Sequence, residues 1–351
     1  MNANPFLGVL LHALGGLAAA SFYIPYKRVR GWAWETYWLV GGFFSWVLTP
    51  WIVSLLVCPN VVSVLHAAPP RAIFWSYLFG LLWGIGGLTF GLSMRYLGMS
   101  LGYALALGFC AAFGTIIPPI FNGQFAGLVS NSSGQMVLLG VLVCLAGIAV
   151  CGKAGVQKES ELSADAKKAT ISEFNFRKGV WVAIFAGVMS ACMAFGIAAG
   201  KPIAQLAVLR GTPSIWQNSP VYIIIFAGGF TTNFIWCVYL NIKNRTGRDY
   251  VRGPGGLALL NYILSALAGI TWYMQFMFYG MGTTKMGRYD FSSWTIHMAF
   301  IIVFSNVWGL IFHEWKGSSR LTHRLVFAGM AALVISTVVV GFGNYIGIAR
   351  H

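Results

Sequence analysis

The sequence predicts an all-α polytopic membrane protein, and three observations predict it. Hydrophobic residues make up 58% of the 351 positions and charged residues only 9%. Apolar runs of about 20 residues, the length a helix needs to cross a bilayer, recur from one end of the chain to the other. The basic residues gather between those runs instead of forming one face. A soluble domain carries about 25% charged residues. The 23 Lys and Arg with 8 Asp and Glu present here cannot clothe a soluble protein of this length.

A helix must cover a hydrocarbon core about 30 Å thick. Ten segments meet that length: 6–26, 36–57, 72–94, 99–121, 136–152, 179–200, 219–240, 256–280, 292–312 and 325–348. Helices are required because lipid offers the backbone no hydrogen-bond partners. A membrane β-barrel would show alternating stretches of about ten residues instead. The first segment has no Arg, Lys or acid before Lys27 and no small-residue cleavage site. It reads as a retained span, not a removed signal. The fourth ends in Pro118-Pro119, which should kink or break it there. The fifth, 136–152, is the shortest.

The longest polar stretch, 153–178, carries Lys153, Lys158, Lys167, Lys168, Arg177 and Lys178. It also carries Glu159, Glu161, Asp165 and Glu173. It divides the chain into a first five-helix repeat (1–153), a polar connecting loop (154–178) and a second five-helix repeat (179–351). Five spans per half force opposite insertion, the layout of inverted repeats. An internal echo runs the same way. Trp83, Phe90, Gly91 and Gly98 correspond to Trp272, Tyr279, Gly280 and Gly287 at one offset of 189 residues. Connections after the odd-numbered spans hold 17 Lys and Arg and the other side 6. The positive-inside rule then puts the 154–178 loop in the cytoplasm and both termini outside it.

The net charge of +15 is spread over these connections, so it points to phospholipid and not to nucleic acid. The six cysteines are widely spaced, form no CxxC or Cys/His cluster, and read as small buried hydrophobes. No P-loop, GxSxG or HExxH motif is present. These absences argue against an enzyme and imply no cofactor or metal. Uphill transport without an ATP module draws on an ion gradient, H⁺ or Na⁺.

The candidates for chemistry are few. Glu35, at the start of span two, has two readings: a helix-start acid offsetting Lys27, Arg28 and Arg30, or a gating or proton-binding carboxylate. Asp290 opens span nine, and His297 follows it by seven residues. That spacing is near two helical turns, so an acid and an imidazole on one face would form a proton relay. His297 read alone is a polar group satisfied between helices. Asp249 reads as a solvated loop residue. A polar solute needs directional donors and acceptors plus an apolar platform. Trp272, Tyr273, Gln275, Tyr279, Arg288 and Tyr289 supply both, with Trp272, Gln275 and Tyr279 on one helical face. Bulk packing is the competing reading for each aromatic. Asn233 in span seven is either a solute contact or a hydrogen bond between helices.

Several ordered segments carry a family resemblance: SFYIPYKRVRGWAWETYWLVGG (21–42), WGIGGLTFGLSMRYLGMSLGYA (83–104), TWYMQFMFYG (271–280), RYDFSSWTIHMAF (288–300) and EWKG (314–317). On these the sequence resembles the L-rhamnose–proton symporter family, within the drug/metabolite transporter superfamily. The resemblance implies a bacterial inner-membrane carrier that imports L-rhamnose with a proton by alternating access. It marks Glu35 and Asp290 as retained acids and Gln275 as part of a retained segment. The expected cycle has an outward-open carrier take up a proton on Asp290 or another cavity carboxylate, then rearrange with bound sugar. The competing functions are a carrier for another sugar or small metabolite, a membrane-embedded enzyme acting on lipid-linked sugars, and a sensor.

Overall fold

The computed structural model describes residues 3–97, 99–161, 175–251 and 257–349. Every regular element among them is helical. The long helices are α1 (Pro5–Ser21), α2 (Trp34–Val57), α3 (Pro70–Leu97), α4 (Met99–Phe121), α5 (Ser132–Ser160), α6 (Phe176–Ala199), α7 (Ser219–Asn244), α8 (Ala258–Thr283), α9 (Ser293–Ile311) and α10 (Arg320–Ala349). Each of the ten predicted segments overlaps one of them. Nine described segments are long and apolar enough to cross a membrane. The 26-residue α8 is not among the nine. Asn261, Trp272, Tyr273, Gln275 and Tyr279 lower its hydropathy, so polarity and not length sets it apart.

Helix α5 is longer than the segment the sequence predicts. The predicted segment 136–152 was the shortest, yet the helix runs 29 residues from Ser132 to Ser160. Asn131 caps its start, accepting at Oδ1 from the Gly134 N–H at 2.7 Å. Residues 153–160, expected in the connecting loop, form its last two turns. Lys, Gln and Glu are good helix formers, and polarity alone does not end a helix. The loop's centre, 162–174, lies outside the described residues. In α4 the helix passes through Pro118 and Pro119 and stops at Phe121. The proline carbonyls accept from Asn122 and Gln124, and Gly123 turns the chain at φ 68°. The predicted interruption is thus a termination.

The chain divides into two compact units. The first comprises Met1–Leu17, Gly86–Ala194 and Met281–His351; the second comprises Ala18–Ile85 and Phe195–Gly280. Each takes helices from both sides of the central polar stretch.

In the first unit α5 lies along α10. Gly140 and Gly147 of α5 face Val340 and Leu333, while Gly329 and Gly343 of α10 face Cys151 and Val137. Lipid tails are as apolar as leucine, so close backbone packing and hydrogen bonds hold such a pair together. The Ser133 hydroxyl accordingly donates to the Gly343 carbonyl at 2.6 Å. Beyond the end of α5, the Glu161 carboxylate accepts from the Ser319 N–H at 2.7 Å, the Ser319 hydroxyl at 2.5 Å and the Thr322 hydroxyl at 2.7 Å. It therefore sits at the positive N-terminus of α10. These bonds, led by the Ser319 hydroxyl, hold its carboxyl at about 2 against an ordinary 4.5. The folded value lies below the unfolded one, so this contribution is complete above pH 4.5 and fades as pH falls toward 2. The detergent-solubilised protein should lose Tm between pH 5 and 3. E161Q should lose less over that interval; equal losses would remove Glu161 from the account.

In the second unit α3 and α7 cross at Gly80 and Gly228. A Cβ on Gly80 would run into the Ile225 carbonyl, and one on Gly228 into the Tyr77 carbonyl. Helix α2 is not uniform: Trp34–Gly42 is α-helical, Phe43–Leu48 is a π-turn and Thr49–Val57 is α-helical again. Pro50 gives the reason. It has no N–H to return to the Trp46 carbonyl, and its ring crowds that oxygen. A wider turn relieves the crowding. All six cysteines are free thiols, five of them buried and Cys151 half-buried, as the small-hydrophobe reading expects.

Candidate functional site

The predicted site residues fall into two groups, one in each unit. In the second unit, α8 presents Trp272 to an aromatic cluster. Its ring centroid lies 5.3 Å from Trp83, 5.6 Å from Trp46, 5.0 Å from Phe276 and 6.1 Å from Phe226. Trp46 arrives on the π-turn and lies 6.0 Å from Trp38. Composition gave no sign of this role for Trp38, Trp46 or Phe226, because neither a π-turn nor a tertiary ring contact has a local periodicity.

Helix α8 is continuous over the predicted solute face, so Trp272, Gln275 and Tyr279 do share one side. Trp272 is half-buried, while Gln275 and Tyr279 are buried. Gln275 is 5% exposed, and among the described residues no hydrogen-bond partner meets its amide. Tyr273 points to another side of α8. Its ring packs 6.0 Å from Phe226, and its hydroxyl is buried without a partner among the described residues. Asn233 takes the structural option. Its Oδ1 accepts from the Trp38 indole N–H at 3.0 Å, and its Nδ2 donates to the Gly229 carbonyl at 2.9 Å. Both ends of the amide are occupied, which fixes the Trp38 ring.

A polar cluster closes the start of α2. Glu35 is buried, and its Oε1 accepts from Asn244 Nδ2 at 3.0 Å and the Thr246 hydroxyl at 2.9 Å. Helix α2 begins after Ala33, which has no capping side chain. Asp249 fills that place from a distant segment. Its Oδ2 accepts from the Ala33 N–H at 2.8 Å and the Thr36 hydroxyl at 3.2 Å. The Thr36 and Thr246 hydroxyl oxygens also lie 3.3 and 2.9 Å from Asn241 Oδ1, so each hydroxyl shares its one proton between two acceptors. Asp249 is therefore a half-buried cap and not the solvated loop residue its basic neighbourhood suggests. Glu35 lies in the first turn of α2, and through Asn244 and Thr246 it is tied to the turn after α7. Burial pushes the phenol of Tyr250, beside this cluster, up to about 12.

In the first unit, Tyr289 and Asp290 lie in a 3₁₀ turn, Gly287–Ser292, kinked at Tyr289 (φ −105°, ψ 46°). The Tyr289 hydroxyl donates to Asn131 Oδ1 at 3.0 Å, tying the turn to the cap of α5. Asp290 is half-buried. Because α9 begins only at Ser293, the seven residues from Asp290 to His297 do not run along one α-helix. A 3₁₀ turn advances about 120° per residue instead of 100°, so the spacing does not establish a shared face. The side chain of Arg288 lies outside the described residues.

His297 faces a second imidazole. His12 of α1 and His297 of α9 are both 0% exposed, with ring centroids 6.3 Å apart in an edge-to-face arrangement. Gly282 makes room for the pair, since a Cβ there would come within 2.7 Å of the His12 ring. The Trp294 ring lies 6.4 Å from His297, and its N–H donates to the Cys110 carbonyl at 3.0 Å. Two residues before His297, the Thr295 hydroxyl shares a hydrogen bond of 2.7 Å with that of Thr115. His12 escaped the sequence reading although the signal was present: it is the one Asp, Glu, Lys, Arg or His within 6–26. An intramembrane ionisable residue is a functional candidate by default.

Comparison with known proteins covers nearly the whole chain. The profile of the family described as L-rhamnose-proton symport protein (RhaT) matches residues 1–346. An L-rhamnose-proton symporter of Cronobacter sakazakii is 37% identical over 340 residues, covering 96% of this chain and 97% of the relative. Symporters of the same description from Klebsiella pneumoniae and Yersinia pestis are each 37% identical over 346 residues, covering 98% of this chain and 99% of theirs. On this match the chain is a member of the RhaT family, a family of bacterial multi-pass membrane transporters and not of enzymes.

Proposed function

We propose that the protein imports L-rhamnose together with a proton by alternating access in the bacterial inner membrane. The observation that carries this is the full-length match to proteins described as L-rhamnose-proton symporters. The proposal includes ten spans in two inverted five-helix repeats, 1–153 and 179–351, joined by a cytoplasmic connection at 154–178.

The geometry within each unit supports a division of labour. In the second unit, Trp272 gives the C–H face of a pyranose an apolar platform, and Gln275 offers a donor and an acceptor to its hydroxyls. Tyr273 and Tyr279 line the same helix, while Asn233 sets the Trp38 ring instead of touching sugar. In the first unit, Asp290 and the His12–His297 pair are the proton-binding candidates, with Tyr289 and Arg288 on the turn that carries Asp290. Glu35 holds the entrance of α2 through Asn244 and Thr246. In that position it acts as a gate whose release frees the turn after α7. Proton binding on the first unit neutralises buried charge or fills an imidazole, which permits the loaded carrier to rearrange.

The test is uptake of labelled L-rhamnose by proteoliposomes under an inward proton gradient. Accumulation that a protonophore collapses supports the reading. Equilibration without accumulation keeps the sugar and removes the proton. No flux through folded protein removes rhamnose, and unlabelled deoxyhexoses and pentoses then identify the solute by competition.

A further inference from the structure

The turn after α7, which Glu35 holds through Asn244 and Thr246, also borders a cavity. The cavity is open, about 520 Å³ in volume, and lined by Leu39, Val238, Asn241, Ile242, Arg245, Gly247, Arg248 and Tyr250. Its lining is largely apolar, from Leu39 of α2 and Val238 and Ile242 of α7, and it includes Arg245 and Arg248. We infer that this cavity is a binding site for an anionic phospholipid, with the phosphate held by Arg245 and Arg248 and the acyl chains along the outer face of α7.

Four observations converge on that occupant. First, the local acids are turned inward. Asp249 is spent on Ala33 and Thr36, and Glu35 on Asn244 and Thr246. Among the described residues neither guanidinium has a carboxylate partner. Two positive charges are left at the membrane edge, where phosphate is the abundant counter-charge.

Second, Arg245 occupies a conformation that its residue type does not favour. It caps α7 in the left-handed region (φ 57°, ψ 36°), a place ordinarily given to Gly or Asn. That conformation is strained for arginine and easy for glycine. Third, Gly247 adds no bulk to the cavity: a Cβ there would meet nothing within 4 Å. Its main chain is open to a ligand between the two arginines.

Fourth, Ile242 of the cavity lining belongs to an exposed apolar strip of α7. Ile235, Tyr239 and Ile242, spaced to share one side of α7, are 63%, 51% and 73% exposed. Tyr239 packs 5.6 Å from Trp236, and the Lys243 ammonium lies 5.8 Å from the Tyr239 ring. Aromatic rings and a lysine at this level are the usual furniture of the headgroup region. A soluble anion would use the arginines alone, whereas a phospholipid uses the apolar lining as well. The bound headgroup would brace the 244–250 turn, and through Thr246 and Asp249 it would steady the start of α2.

The experiment uses the full-length protein, delipidated in detergent and titrated with dioctanoyl phosphatidylglycerol, dioctanoyl phosphatidylcholine or inorganic phosphate. Thermal unfolding is followed by tryptophan fluorescence. Phosphatidylglycerol should raise Tm saturably and phosphatidylcholine should not. R245Q or R248Q should each weaken the phosphatidylglycerol affinity about fivefold, and the pair about 25-fold, as expected for one lost basic contact each. K316Q, on the other unit, should leave it unchanged. R245G relaxes the left-handed cap while removing the charge, so it should be at least as stable as wild type without lipid and still bind about fivefold more weakly. Equal shifts with both lipids, or unchanged affinity in R245Q/R248Q, would overturn the inference. A shift of the same size with inorganic phosphate would also overturn it and assign a soluble-anion site.

Discussion

Replacement of His12 by glutamine should leave L-rhamnose exchange intact and abolish its proton-driven accumulation, and H297Q should do the same. Both rings are fully buried and face each other at 6.3 Å. Histidine is the side chain whose charge change lies nearest neutral pH, and such groups inside a membrane protein mark ion pathways. An inward gradient of about one pH unit is worth about 1.4 kcal/mol per proton, which sustains about tenfold accumulation at one proton per sugar. Uncoupled variants should reach a ratio of about one. Glutamine keeps the polarity and much of the volume, so counterflow of labelled sugar should persist and report a folded carrier. The readouts separate the candidates. If H12Q and H297Q still accumulate sugar while D290N does not, the carboxylate carries the proton and the imidazoles are packing.

Gln275→Leu should reduce rhamnose uptake about 100-fold while leaving Tm within a few degrees of wild type. The amide is 5% exposed, and among the described residues it has no hydrogen-bond partner. Leucine replaces it at nearly equal volume, so the protein interior loses little. A bound sugar would lose one donor and one acceptor in a site shielded from water. Each buried hydroxyl left unpaired costs about 1–3 kcal/mol, and two together give a factor of about 100. Asn233→Leu is the contrasting case. It removes the hydrogen bond to Trp38 and the one to Gly229, so it should lower Tm first, with uptake falling as a consequence. If Q275L destabilises as much as N233L, Gln275 is a structural amide and the solute face needs another donor.

The membrane class was readable because it depends on composition and run length, which a linear sequence displays. The long apolar segments had no alternative to helices once lipid removed every external backbone partner. Trp272, Gln275 and Tyr279 were correctly placed on one face because α8 is unbroken, so its periodicity carried over. Asp290 and His297 were not so legible: a 3₁₀ turn between them breaks the period on which the inference relied. The length of α5 was underestimated because its last turns are polar, and a helix end is set by capping and tertiary partners such as Ser319 and Thr322.

What the sequence by itself determined was the apolar helices, their approximate limits, the absence of a soluble-enzyme motif and the short roster of ionisable residues. What only the tertiary structure decided was partnership. It brought His12 to His297 across 285 positions, turned Asp249 from a loop acid into the cap of α2, and assembled Trp46, Trp83 and Trp272 into one cluster. The physical reason is range. Hydropathy and helical period act over neighbouring residues, whereas a hydrogen bond or ring contact between helices depends on crossings set by glycines such as Gly80 and Gly228, whose closeness no local pattern encodes.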